Sequence, residues 1–212
     1  MKNIKKIKCV ILDLDGTMYS DGDWSKSDEF NFGFIQKNKL FNGTLEEFRD
    51  QNIFNKDWHF EQKIYYTCKR LGLPLQSFID YMDSDIYNFM TEKTRTINPE
   101  LVHELSKTHR VYVLSDSTYK YVCHYLKLFK IKREWIVDVV VNDYKSDDMS
   151  KIHAMRKILE KENIRPSEAI MIGDSYNHDI VPANELKMNN VWVKDVSETE
   201  DAIRKIIDSA KG

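Results

Sequence analysis

The sequence is poor in cysteine and in repeated or biased segments. It contains three cysteines among 212 residues, Cys9, Cys68 and Cys123, with no closely spaced pair. An odd number of scattered cysteines predicts neither a disulfide framework nor a zinc site. Neither an internal repeat nor a low-complexity tract occurs. This cysteine usage fits the reducing cytosol, so we expect a cytoplasmic protein.

The sequence also lacks a long apolar run and an excess of charge of one sign. No stretch approaches the roughly 20 apolar residues of a membrane span. The start, "MKNIKKIKCVILDLDGT", is basic and then apolar, but Asp13 and Asp15 interrupt it and no small-residue cleavage site follows. The formal net charge of -2 gives no basic footprint for nucleic acid. We therefore predict a small-molecule partner, with no membrane and no nucleic-acid polymer.

The composition is that of a globular protein, with 42% hydrophobic and 31% charged residues. The length suits one domain with a large insertion, or two small domains. Short apolar segments that are typical of buried parallel strands run from Lys8 to Asp13, Arg110 to Asp116, Ile136 to Asn142, Ala169 to Asp174 and Asn190 to Lys194.

Helical patterns separate these segments in the second half of the chain. Asn98 followed by Pro99 predicts a helix N-terminus. The segment "STYKYVCHYLKLFK" has apolar residues at three- and four-residue intervals, and Ser150 is placed to cap "KIHAMRKILEKEN". Strands that alternate with helices predict an α/β fold, a Rossmann-like parallel sheet with helices on both faces.

Residues 18–97 interrupt that alternation and contain no convincing buried strand. One helix is predicted through "HFEQKIYYTCKRLG" and ends at Gly72. The next is predicted from one apolar face in "LQSFIDYMDSDIYNFM", formed by Leu75, Phe78, Ile79, Met82, Ile86 and Phe89. The stretch "NFGFIQKNKLF" fits either a loop or a short helix. We predict an all-helical insertion at 18–97 and a core formed by 1–17 and 98–212.

The candidate site residues lie at the ends of three predicted strands. They are Asp13 and Asp15, Ser115 and Asp116, and Gly173 and Asp174, with Asp179 about a turn further on. In an open parallel sheet these carboxyl ends share one edge, where ligands bind. Carboxylates that crowd one crevice need a cation, and hard oxygen ligands favour magnesium (Mg2+). The pattern predicts a magnesium site and an anionic substrate, with Lys151 the best candidate for a lysine nearby.

In these motifs the chain resembles the haloacid dehalogenase-like (HAD) hydrolases over its whole length. "DLDGT" is similar to the first motif of that family, the strand ending at Ser115 to the second, Lys151 to the third, and "GDSYNHD" to the fourth. The first and fourth motifs are specific in combination, whereas the second and third gain meaning from their order. The resemblance implies a hydrolase with an inserted helical cap of the C1 type over residues 18–97.

The resemblance assigns roles to the acidic residues. Asp13 would be the nucleophile that accepts the phosphoryl group as an aspartyl-phosphate. Asp15 would act first as the general acid and then as the general base. Asp174 would bind Mg2+ together with Asp13 and the backbone carbonyl of Asp15, with Asp179 supporting from close by.

The resemblance also implies a phosphate-binding group. Ser115 would donate to a phosphoryl oxygen, as would backbone N–H groups around Leu14, Asp15 and Asp116. Lys151 would offset the shared negative charge. Gly16 would form the turn after the strand, where a side chain could block the approach of the backbone.

The third motif leaves a choice of lysine, because neither Lys145 nor Lys151 is followed by the proline that many relatives carry. Lys151 is preferred, since it directly precedes an apolar helical stripe. An aspartate at position 15 favours phosphatases and phosphomutases, because family members that cleave carbon–halogen bonds lack an acid there and ATP-driven pumps carry threonine.

Three functions are compatible with these residues. The first is a Mg2+-dependent phosphatase that acts on a small phosphorylated metabolite. The second is a phosphomutase that uses the same residues, and the third is a catalytically silent binding module. Among the histidines, His178 is predicted to be exposed or to support the site rather than to bind metal. The aromatic residues Trp24, Phe32, Phe34 and Trp58 fit either a substrate pocket or packing of the insertion.

Overall fold

A computed structural model describes residues 4–22, 27–50, 60–84, 90–142 and 150–211. The chain divides into two compact units. One consists of Met1–Gly22 and Glu92–Gly212, and the other of Asp23–Thr91. The assignment of 1–17 and 98–212 to a catalytic core, and of 18–97 to a cap, stays a prediction.

The strands of the described residues confirm the predicted parallel sheet. They are β1 (Cys9–Leu12), β2 (Tyr19–Ser20), β3 (Arg95–Thr96), β4 (Arg110–Ser115), β5 (Asp138–Val141), β6 (Ala169–Gly173) and β7 (Asn189–Trp192). Within these described strands, one sheet has the order β5-β4-β1-β6-β7 and all its pairs are parallel. Ile11 on the central strand faces Tyr112 on one side and Met171 on the other.

The helices of the described residues are α1 (Ser27–Lys37), α2 (Leu45–Asp50), α3 (Phe60–Leu71), α4 (Leu75–Ser84), α5 (Pro99–Ser106), α6 (Tyr119–Leu128), α7 (Ile152–Glu162), α8 (Val181–Glu185) and α9 (Val196–Lys211). Helix α5 begins as predicted, since the Asn98 side chain accepts from the Glu100 N–H. Helix α7 begins one residue later than predicted. Lys151 is its N-cap residue with a non-helical ψ of 1°, and the Ser150 hydroxyl accepts from the Ile152 N–H.

Both faces of the sheet are buried. One face carries Ile11, Tyr112 and Met171, which share a core with Met155 and Ile158 of α7. Side chains alternate along a strand, so Val10, Val113 and Ile172 point to the other face. There α5 contacts β4, α9 contacts β6, and the two helices pack against each other. Burial on both faces explains why the strands are almost continuously apolar.

Two short strands lie at the two ends of residues 18–97, while the described elements between them are all helices, as predicted. Tyr19 pairs with Thr96, and Ser20 pairs with Arg95, in an antiparallel arrangement that closes the two ends of this segment. The Ile97 N–H also donates to the Met18 carbonyl oxygen at 2.8 Å. A two-residue strand has no detectable periodicity, which is why the sequence did not predict it.

The second unit contains α1 to α4. Helix α1 takes up most of the aromatic stretch that fitted either a loop or a short helix, and Gly72 ends α3 with a φ of +66°, as predicted. Phe32 packs against Phe48, and Phe34 against Tyr81, so these two rings form part of the unit's own core. Trp24, Trp58, Ile86 and Phe89 lie outside the described residues.

Candidate active site

The candidate site lies at the carboxyl ends of three adjacent strands. β1 is central and leads into Asp13, β4 ends at Ser115 and leads into Asp116, and β6 leads into Asp174. Because the strands are parallel and neighbouring, their ends meet at one edge, as predicted from the sequence. Asp179 reaches the same edge from a π-helical turn, Tyr176–Ile180, that follows β6.

Lys151 joins the acidic residues of this edge. Its Nζ lies 2.6 Å from Asp13 Oδ1, 2.8 Å from Asp179 Oδ1 and 3.7 Å from Asp116 Oδ2. Lys151 is 2% exposed and Asp13 is 4% exposed. The lysine therefore makes buried, charge-assisted contacts with acids from three separate segments. The alternative, Lys145, lies outside the described residues.

The electrostatics of this cluster are unbalanced. Burial, reinforced by Asp179, Asp174 and Asp15, raises the pKa of Asp13 well above its ordinary value, although Lys151 opposes this. Burial by itself would lower the pKa of Lys151, but Asp13, Asp179 and Asp116 raise it well above its ordinary value. Among the described residues, Lys151 supplies the one ammonium or guanidinium group at the cluster. In the part of the chain that the structure describes, the carboxylates of this cluster therefore outnumber the cations.

An acidic trio in this cluster fits a divalent cation. One oxygen from each of Asp13, Asp174 and Asp179 can be chosen so that all lie within 4.8 Å of one another. Burial and the neighbouring Asp179 raise the pKa of Asp174 to about 6. The carboxylate oxygens lie close together although they repel one another. Such hard oxygen ligands are the ones that Mg2+ prefers.

Two glycines allow this close approach of carboxylates. A Cβ at Gly16 would lie 2.2 Å from Asp174 Oδ2, and a Cβ at Gly173 would lie 2.2 Å from Asp179 Oδ2. Gly16 also has a φ of +77° in the turn after β1. Any side chain at these two positions would displace a carboxylate of the trio.

Asp15 lies apart from the lysine contacts. Its Oδ1 accepts hydrogen bonds from the hydroxyls of Tyr19 at 2.5 Å and Tyr121 at 3.2 Å. Burial raises the pKa of Asp15, while the two tyrosine hydrogen bonds oppose the rise. Two carboxyl groups spaced one residue apart thus meet different surroundings: a lysine at Asp13, and phenol hydroxyls at Asp15.

The second strand end forms a hydrogen-bonded group. The buried Ser115 hydroxyl accepts from the Ser117 N–H at 3.0 Å, which leaves its own O–H to donate. Asp116 accepts from Asn142 Nδ2 at 2.8 Å, and His178 Nδ1 lies 3.6 Å from its other oxygen. Burial opposes ionisation of Asp116, but Lys151 and these two partners lower its pKa below the ordinary value.

The turn between Asp13 and Tyr19 is closed by the buried Leu14. Its carbonyl oxygen accepts from the Thr17 N–H at 3.4 Å and the Met18 N–H at 2.8 Å. The Thr17 hydroxyl donates to Asp13 Oδ2 at 3.1 Å, so each oxygen of Asp13 has a donor. The turn therefore orients the Asp13 carboxylate.

Sequence reasoning did not identify several residues that contact the site acids. They are Thr17, Tyr19, Tyr121 and Asn142. Thr17 belongs to the "DLDGT" motif and could have been inferred from it. Tyr121 and Asn142 lie far along the chain from their partners and carry no local signal. His178 is buried against Asp116, in agreement with a supporting position and not with an exposed one.

No helix in the described part of the chain is both long and apolar enough to cross a membrane.

Solved structures share this fold at low sequence identity. An HAD phosphatase from Thermococcus onnurineus is 18% identical with a TM-score of 0.64, and the match covers 97% of this chain and 100% of that one. A haloacid dehalogenase-like hydrolase from Streptococcus pneumoniae is 18% identical with a TM-score of 0.57, over 94% and 91% of the two chains. The HAD-hydrolase YfnB from Bacillus subtilis, solved bound to magnesium, is 12% identical with a TM-score of 0.55, over 93% and 99%.

No curated protein matches the sequence. A family model does, and it matches the stretch that contains every residue of the candidate site. The model describes haloacid dehalogenase-like hydrolases and aligns with residues 7–186. The chain therefore belongs to the haloacid dehalogenase-like hydrolase family.

Proposed function

We propose that this hydrolase is a Mg2+-dependent phosphatase that cleaves a small phosphate monoester through an aspartyl-phosphate on Asp13. The observation that carries the proposal is the Asp13 carboxylate itself. It is buried at the carboxyl end of the central strand, lies 2.6 Å from the Lys151 ammonium, and has Asp15 two residues away. A nucleophile, a charge-stabilising cation and a proton carrier are the groups that phosphoryl transfer requires.

The metal-binding part of the proposal rests on the acidic trio. Asp13, Asp174 and the backbone carbonyl of Asp15 would hold Mg2+, with Asp179 close by. Bound there, the ion would offset the negative charge of the phosphoryl group and of the nucleophile. The excess of buried carboxylates over cations supports this assignment, and so does the magnesium bound to a solved structure of the same fold.

The chain's own residues would carry the two chemical steps. In the first, Asp13 attacks phosphorus while the bond to the leaving oxygen breaks and Asp15 gives that oxygen a proton. In the second, water attacks phosphorus, Asp15 takes the water proton, and the bond between Asp13 and phosphorus breaks. Inorganic phosphate is released, and both aspartates return to their starting forms.

The phosphoryl group would be held by donors around the site. The Ser115 hydroxyl and the backbone N–H groups of Leu14, Asp15 and Asp116 would bind its oxygens, while Lys151 balances its charge. Gly16 would leave room for the backbone to approach. Fixed donors of this kind supply most of the catalysis when a transition state has little covalent bonding to assist.

The insertion would select the substrate. We propose that residues 18–97 form the C1-type cap, which excludes water from such sites. The HAD phosphatase from Thermococcus onnurineus has the same fold, which is compatible with a phosphatase. A cytoplasmic location and the absence of nucleic-acid and membrane partners stay predictions.

Hydrolysis of p-nitrophenyl phosphate and of a broad panel of phosphate monoesters, each with and without Mg2+, tests the proposal. We expect Mg2+-dependent phosphate release by the wild type and a loss of at least ~10³-fold in Asp13→Asn, since the nucleophile is removed. Asp138→Asn is the matched control. Asp138 begins β5, pairs with Lys161, and should retain turnover within about 2-fold.

Mass spectrometry of acid-quenched enzyme should find phosphate bound covalently to Asp13. A wild type that hydrolyses no member of the panel with Mg2+ would show the proposal to be wrong and would favour the silent binding module. Isomer formation from a sugar phosphate, without steady phosphate release, would instead identify the phosphomutase.

A further inference from the structure

Two buried tyrosines converge on one oxygen of Asp15. Tyr19 is fully buried and Tyr121 is 1% exposed. Their hydroxyl oxygens lie 2.5 Å and 3.2 Å from Asp15 Oδ1, and 3.2 Å from each other. The three oxygens therefore form a compact triangle inside the protein.

The tyrosines are fixed by elements from separate parts of the sequence. Tyr19 lies in β2, which pairs with β3, and Tyr121 lies in the first turn of α6, capped by Thr118. The ring of Tyr125 packs against both, with centroids 5.1 Å from Tyr19 and 4.6 Å from Tyr121. Side chains locked by packing in this way can hold a reactive group in one orientation.

The two tyrosine hydrogen bonds reach the same oxygen of the Asp15 carboxyl group. Both phenol hydroxyls donate to Oδ1. No donor within the described ranges contacts Oδ2. Because Oδ1 already accepts two hydrogen bonds, protonation of Asp15 is less favourable at Oδ1 than at Oδ2. Protonated Asp15 therefore carries its proton on Oδ2. The arrangement thus distinguishes the two oxygens of a symmetric carboxyl group.

Resting on the phosphatase function proposed above, we propose that Tyr19 and Tyr121 are positioning residues that hold Asp15 by Oδ1 and leave Oδ2 to exchange the proton. In phosphoryl transfer, Oδ2 gives its proton to the leaving oxygen as the phosphorus–oxygen bond breaks, and the charge left on Asp15 is stabilised at Oδ1. In the hydrolysis of the aspartyl-phosphate, Oδ2 takes a proton from water.

The test uses substrates that differ in their need for a proton. An alkyl phosphate must have its leaving oxygen protonated, whereas p-nitrophenolate leaves as a stable anion. The ratio kcat/KM reports steps up to departure of the leaving group. We expect Tyr19→Phe and Tyr121→Phe each to lower kcat/KM for an alkyl phosphate about 10-fold, and the double variant about 100-fold. For p-nitrophenyl phosphate the loss should stay below about 3-fold.

Two controls separate positioning from a structural role. Tyr112→Phe removes a tyrosine hydroxyl that donates to Glu162, away from the site, and should change neither substrate by more than about 2-fold. In the Asp15→Asn variant, adding Tyr19→Phe and Tyr121→Phe should not lower kcat/KM for the alkyl phosphate more than for p-nitrophenyl phosphate. A structural role would produce equal losses for both substrates in either background.

The outcomes separate this inference from the proposed function. A wild type without Mg2+-dependent turnover overturns both. An active wild type with equal losses for alkyl and aryl substrates, or with no loss at all in the double variant, overturns the positioning role alone. Selective loss for alkyl substrates that disappears in the Asp15→Asn background supports it.

Discussion

Several carboxylates at the two ends of the parallel sheet have opposite pKa shifts. At the amino end, Glu168 lies 2.7 Å from Lys8, and Asp138 lies 2.8 Å from Lys161. The Lys8 and Arg165 contacts lower the pKa of Glu168 to about 2, and the Lys161 hydrogen bond lowers the pKa of Asp138. At this end each acid has a cation of its own.

At the carboxyl end, burial raises the pKa values of Asp13, Asp15 and Asp174. Lys151 contacts several acids at once, so its charge cannot balance all of them. At the amino end each of these acids has its own cation, whereas at the carboxyl end the described residues supply fewer cations than carboxylates. That difference distinguishes an acidic group that supports the fold from one suited to a metal and an anionic substrate.

The largest expected effect comes from removing the lysine at each end. Lys151→Met should lower Mg2+-dependent kcat/KM by at least ~10³-fold, because the proposed nucleophile, Asp13, and the phosphoryl group would lose their buried cation. Lys161→Met, at the amino end, should change it by less than about 2-fold. Phosphate release measures both variants, and circular dichroism checks that Lys151→Met is folded. Equal effects would remove the distinction between the two ends.

Mg2+ itself should affect only one end. At about 100 times its Kd, the ion should stabilise the folded state by about 2.7 kcal/mol and raise Tm by roughly 5–10 °C. We expect Asp174→Asn to lose most of this shift because a proposed Mg2+ ligand is removed. Glu168→Gln should keep it. Thermal unfolding with Mg2+ and with EDTA gives the comparison, and an unchanged shift in Asp174→Asn would place the ion elsewhere.

The two ends should also respond to pH with opposite sign. Asp174 binds its proton more tightly in the folded chain, with a pKa of about 6 against an ordinary 3.8. In metal-free protein, the unfolding free energy should therefore fall by roughly 2 kcal/mol as pH rises from about 4 to about 6. Glu168 has a lowered pKa of about 2 against an ordinary 4.5, so its contribution is lost as pH falls through that range. Urea unfolding at several pH values measures this. Asp174→Asn should abolish the decrease in unfolding free energy with rising pH, and Glu168→Gln should abolish the decrease at low pH.

The smallest expected effect concerns an ion pair at the amino end. Arg110 Nε lies 3.0 Å from Glu162, and its side chain is 57% exposed. Arg110→Gln should lower the unfolding free energy by no more than about 1 kcal/mol, because exposed pairs contribute little. Phosphate release should be unchanged. Denaturant unfolding checks the first value, and a loss of turnover would show that the amino end influences the site.

Much of the core fold could be predicted from the sequence because burial leaves a local pattern. The segment Lys8 to Asp13 is apolar since β1 lies at the centre of a sheet covered on both faces. Asn98 and Gly72 mark helix ends by their own backbone preferences. Such signals depend on neighbouring residues alone, which a sequence displays directly.

Other features could not be predicted because their partners are distant in sequence. The pairing of Tyr19 with Thr96 closes a loop of many residues. The contact of Tyr121 with Asp15 depends on the position of α6 beside the turn after β1. No periodicity or motif at Tyr121 indicates a role, since its spacing fits an ordinary buried face of a helix.

The sequence by itself determined that acids would stand at the ends of parallel strands, because "DLDGT" and "GDSYNHD" follow apolar segments directly. The match to the family model, over residues 7–186, spans both motifs. Only the tertiary structure decided how the two aspartates of the first motif differ. Asp13 faces Lys151 and Asp15 faces two phenol hydroxyls, because the chain turns directly after β1 and the partner groups come from distant parts of the chain.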